Sequence, residues 1–88
     1  MARFEIRDIE MALASGESRV ETLCNLGLVY ATGRGGKVDL VAAHKWLNIA
    51  AIRGSERAAS LRADLARNMS KAELAEALRA AREWMTVH

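Results

Sequence analysis

The sequence predicts an all-α protein, and three observations carry that prediction. Ala, Leu, Arg and Glu, all good helix formers, dominate the 88 residues, and proline is absent. Apolar residues recur at spacings of three and four along five successive segments. The glycines fall mostly where those segments would stop, as expected of residues that can turn left-handed at a helix end.

The first segment, residues 3 to 14, places Ile6, Ile9 and Leu13 at helical spacing and ends at Ser15-Gly16. A second helix starts after Ser18 as N-cap, carries Thr22, Leu26 and Tyr30 on one stripe beside Leu23 and Gly27, and closes at Gly33. The run from Gly33 to Val38 is a turn, after which Asp39 caps a third helix from Leu40 to about Arg53. Ala43, Leu47, Ala50 and Ala51 form its buried side, Trp46 adjoins them, and Gly54 stops it. Ser55 caps a fourth helix with Ala58, Leu61 and Leu65 inward and Asn68 as terminator. Ser70 and Glu73 have the form of a capping box for a fifth helix reaching about Met85. Its expected stripe is Leu74, Leu78, Ala81 and Met85, with Ala77 and Trp84 close by.

Residues 1–88 make one domain, because a second core would need roughly 50 residues of its own. Ten arginines and three lysines face eleven acidic residues, for a net charge of +2, with the signs interspersed as on a solvated surface. The single cysteine, Cys24, cannot form an internal disulfide, and the N-terminus is charged within a few residues. No apolar run approaches the roughly 20 residues that span a bilayer. These features point to a cytoplasmic protein without a membrane segment.

The stretch from Thr22 to Gly54 resembles the Sel1-like repeat, a relative of the tetratricopeptide repeat. Leu26-Gly27, Tyr30, Gly33, Gly35, Asp39, Ala43, Lys45-Trp46, Ala50-Ala51 and Gly54 stand at the family's spacing. After Gly54 the pattern weakens: Arg62-Ala63 stands where Leu-Gly is expected, and the following turn lacks the glycines. Gly36 and Lys37 replace the apolar residue and proline frequent in the family's turn. The resemblance implies a short right-handed α-solenoid of about five helices. One intact hairpin would be flanked by an N-terminal helix and a degenerate C-terminal hairpin. It also implies an adaptor, scaffold or regulatory subunit that receives a partner protein on its concave side, with self-association through the solenoid ends as a further expectation. Independently of the family, Gly27 inside a helix costs about 0.5–1 kcal/mol relative to alanine, so its use is to admit a close neighbour.

No catalytic constellation is signalled. A Cys24/His44 nucleophilic pair has no motif behind it, and His44 reads as a surface or edge residue. Cys24, His44 and scattered acids do not supply the three or four ligands of a metal site. The glycine-rich turn lacks the strand and the Gly-Lys-Ser/Thr ending of a phosphate-binding loop, so no cofactor is expected. The rival is a nucleic-acid-associated regulator, suggested by Arg53, Arg57, Arg62, Arg67, Arg79 and Arg82. Their helical phases diverge, Glu56 and Asp64 interrupt them, and no stacking platform accompanies them.

In related helical repeats the first helix of each hairpin lines the concave side, which assigns that role to the second and fourth helices here. With Leu26 and Tyr30 facing the core, helical phase turns Glu21, Cys24 and Leu28 outward on the second helix. On the fourth it selects Arg57, Ser60, Asp64 and Arg67. These seven residues are the candidate partner-binding surface, an apolar anchor with a polar rim.

Overall fold

A computed structural model of the chain describes residues 20–88. Four helices are present: α1 (Val20–Thr32), α2 (Leu40–Ile52), α3 (Glu56–Ala66) and α4 (Lys71–Val87), with no strand among the described residues. They coincide with the second to fifth segments of the sequence reading. The helix expected over residues 3 to 14 and the Ser18 cap lie outside the described residues.

Each boundary follows from local chemistry. At the end of α1, Gly33 takes φ +74° and the Arg34 N–H donates back to the Val29 carbonyl at 3.2 Å. Gly54, at φ +112°, ends α2 in the same manner, with the Ser55 N–H on the Ala50 carbonyl and the Gly54 N–H on that of Ala51. These are the bonds that satisfy orphan carbonyls behind a left-handed residue. At the N-termini, the Asp39 carboxylate accepts from the Ala42 N–H and the Ser55 hydroxyl from that of Ala58, both at 3.0 Å. Ser70 and Glu73 form a reciprocal capping box, with bonds of 3.1 and 2.8 Å.

α2 is the hub. It buries residues on most of its circumference and packs against α1, α3 and α4 in turn, whereas α3 merely grazes α1. Against α1 the approach is close: a Cβ at Gly27 would stand 2.7 Å from Leu47 Cγ and 3.2 Å from the Ala43 carbonyl oxygen. α3 sends in Ala58, with Leu61 and Leu65 alongside; α4 sends in Ala77 and Ala81, with Trp84 and Met85 against the core. The Trp46 and Trp84 rings meet edge to face, with centroids 5.3 Å apart, and fasten α4 to α2.

Two expectations are corrected. The last two helices do not close as a hairpin on each other; both lie on α2, and their backbones scarcely approach. The reason lies in α3, which has one apolar stripe and uses it on α2, leaving charged and small residues on its other sides. On α4 the buried face is rotated from the expected stripe: Ala77, Ala81 and Trp84 turn inward, and Leu78 is 42% exposed. The bulky indole pair sets that rotation, because Trp84 must meet Trp46.

Candidate functional site

A pocket of about 460 Å³ opens where the first turns of α1 and α3 face each other, lined by Val20, Glu21, Cys24, Asn25, Ser55 and Arg57. Glu21, Cys24 and Asn25 come from successive turns of one α1 face, as spacings of three and four dictate. The Schellman turn at Gly54 sets the α3 wall by bringing Ser55 and Arg57 immediately after α2 ends.

The pocket is mixed in character. Glu21 and Arg57 are exposed, and neither forms an ion pair or hydrogen bond with the described residues. Ser55 Oγ accepts from the backbone of Ala58, which leaves its O–H proton for another acceptor. Cys24, the free thiol, is 3% exposed. Such a site offers one cation, one anion and a hydroxyl around a small apolar surface, which suits recognition of a polypeptide segment.

Of the seven expected binding residues, the pocket brings together Glu21, Cys24 and Arg57. Cys24 belongs to the core, against the expectation that it points outward, because the buried face of α1 is wide enough to include it with Leu23 and Gly27. Leu28 is half-buried and outside the lining. Ser60, Asp64 and Arg67 are exposed on α3 outside the lining, and Asp64 and Arg67 pair with each other at 3.6 Å. Val20, Asn25 and Ser55 were not among the expected seven. Ser55 was readable as a cap, but the proximity of that cap to α1 depends on how α3 packs.

A second pocket, also about 460 Å³, lies between the glycine turn and the start of α4 and includes Tyr30, Lys37, Asp39 and Glu73. It is unsuited to phosphate. The turn's N–H groups at Arg34, Gly36 and Asp39 already donate to carbonyls, and two carboxylates line the space.

The sequence placed His44 at the surface or an edge, and the structure buries it at 4% exposure. Its Nδ1 has no hydrogen-bond partner, and burial, then the charge of Arg62, holds its pKa below the ordinary 6.5. Nearby, Arg62 Nη1 donates to Asn48 Oδ1 at 2.6 Å. Among the described residues no group of three or more His, Cys, Asp or Glu is placed to hold a metal ion. No helix among them is long and apolar enough to cross a membrane. No family model, curated protein or solved structure matches the chain.

Proposed function

We propose that this chain is a protein-binding module of the Sel1-like kind, a small adaptor or regulatory subunit that holds a segment of a partner protein between α1 and α3. The observation that carries the reading is the pocket in which Glu21 and Arg57, exposed and uncommitted, flank Cys24 between the first turns of α1 and α3. The close α1–α2 packing at Gly27 supports one intact helical hairpin of the repeat kind, on which both later helices lie through α2. The chain binds rather than catalyses, acts in the cytoplasm, and has the solenoid ends as its route to self-association.

The nucleic-acid reading is weaker on physical grounds. Arg62 is engaged by Asn48, Arg67 by Asp64, and Arg53 lies over the Trp84 ring at 5.2 Å, so these arginines do not form one free stripe.

Affinity capture from extract of the native cell, with Arg57→Glu and Glu21→Lys beside the parent, tests the proposal. A partner retained by the parent should bind each variant about tenfold more weakly, equivalent to about 1.4 kcal/mol, with helicity unchanged. Equal affinity in both variants would refute the α1–α3 site and move attention to the ends of the array.

A further inference from the structure

The seam between α2 and α3 contains three polar side chains that the binding pocket does not use. His44 and Asn48 stand one turn apart on α2 and so share a face. Arg62, from α3, reaches across to Asn48, and the His44 ring is buried close enough to feel the guanidinium charge. Nearly all buried polar atoms find a hydrogen-bond partner, which makes the orphan Nδ1 of His44 a departure that demands a reason.

The neutral ring leaves one nitrogen unsatisfied. The imidazolium is far worse placed, since both nitrogens become donors and a full charge is buried beside another cation. Among the described residues Arg62 is the one charge that acts on the ring. The carboxylates of α1 (Glu21), α3 (Glu56, Asp64) and α4 (Glu73, Glu76, Glu83) are not among the causes that set its pKa. On α2 itself, the neighbouring Lys45 ammonium lies over the Trp46 ring, 4.2 Å from its centroid.

We propose that this cluster is an acid-operated latch: uptake of a proton at His44 releases α3 from α2, and with α3 goes the Arg57 wall of the pocket. α3 is the element that yields because it is held least. It buries one residue, Ala58, whereas α1 buries five, α2 seven and α4 two, and α4 gives it little backbone support. Moving α3 away hydrates the ring and separates it from Arg62 without disturbing the Gly27–Leu47 packing of α1 on α2.

The sign follows from linkage. His44 has its pKa depressed when α3 is docked, by burial first and by Arg62 second. Docking therefore has its full stability above the ordinary value of 6.5 and loses it as the pH falls below that value toward the depressed one. The latch stands independently of the partner. Its consequence for partner binding rests on the α1–α3 reading.

Amide hydrogen exchange on the full chain at pH 7.5 and 5.0, expressed as protection relative to intrinsic rates, reads the latch directly. Protection of the α3 amides should fall by at least about threefold at pH 5.0, with a ceiling of about 30-fold set by a group titrating at 6.5 when released. Amides at the α1–α2 interface should keep their protection. His44→Gln should abolish the fall in α3, and Arg62→Gln, which can still donate to Asn48, should reduce it. Should His44→Gln fail to fold, the Arg62→Gln comparison decides. A fall below threefold, an equal fall in whichever variant folds, or a uniform loss across all helices overturns the proposal. Partner affinity that ignores Arg57→Glu while α3 still opens in acid would sink the binding site and leave the latch standing.

Discussion

Gly27→Ala is the smallest substitution that probes how α1 meets α2, and two opposing effects determine its sign. Removing a glycine from a helix interior is worth about 0.5–1 kcal/mol in favour of alanine. The new methyl, however, would lie 2.7 Å from Leu47 Cγ and 2.8 Å from its Cδ2, inside any normal carbon contact. Leu47 is almost completely buried and cannot swing away, and the Ala43 carbonyl closes the other side at 3.2 Å. Overpacking of this kind costs about 1–3 kcal/mol, so repulsion wins. The expected outcome is a net loss of about 1 kcal/mol, or about 4–8 °C in Tm for a domain of this size. Gly27→Leu should lose about 3 kcal/mol or more, and the exposed Lys37→Ala should stay within about 0.5 kcal/mol of the parent. The decisive measurement is the same Gly27→Ala change in a Leu47→Ala background, itself about 2–5 kcal/mol less stable than the parent. With Cγ and Cδ2 gone, the added methyl should raise Tm rather than lower it. Thermal melts followed by circular dichroism give all these values. A stabilising Gly27→Ala in the intact chain, or equal effects in both backgrounds, would refute the close-packed interface.

Ser70→Ala removes the hydroxyl that accepts the Glu73 N–H and should cost about 1 kcal/mol, seen as a lower Tm, with exchange quickening first at residues 71–74. An unchanged melt would mean that the capping box contributes nothing to holding α4. Truncation after Asn68 removes α4 and uncovers the α2 side that carries Trp46. The shortened chain should aggregate or unfold in part, and a monomer with the parent's Tm would show α4 to be dispensable.

The helices were legible because their ends are written locally. Asp39, Ser55 and Ser70 cap, Gly33 and Gly54 stop, and each signal depends on a few neighbouring residues. Gly27 was legible as well, since a glycine inside a strong helix needs a close neighbour. The arrangement of the last two helices was not, because the period of an apolar stripe says which side is buried but not by what. Leu74, Leu78, Ala81 and Met85 make the better stripe on paper, yet the meeting of Trp84 with Trp46 rotates α4 so that Ala77 and Ala81 are buried and Leu78 is left exposed. His44 shows the same limit from the polar side. Its burial arises from being flanked by Ala43 and Leu47 on the most enclosed helix, a property of the assembled helices that a lone histidine does not signal.

The open last hairpin also bears on how the pocket works. In a closed hairpin, α3 would be supported along one side by α2 and along another by α4, and the Arg57 wall would be as rigid as the Glu21 wall. Here α2 carries that support nearly alone, through Ala58, the flanking leucines and the Arg62–Asn48 bond. The two walls of one pocket therefore differ in stability: α1 is locked by Gly27 against Leu47, and α3 is held by a small apolar contact beside a polar seam. A partner that pairs with both Glu21 and Arg57 would add the second support that α4 does not give. Binding and the docking of α3 are then thermodynamically coupled, each strengthening the other by the same factor. The coupling predicts that a bound partner slows exchange in α3 beyond the residues it covers, whereas α1, already locked, gains protection only where it is touched.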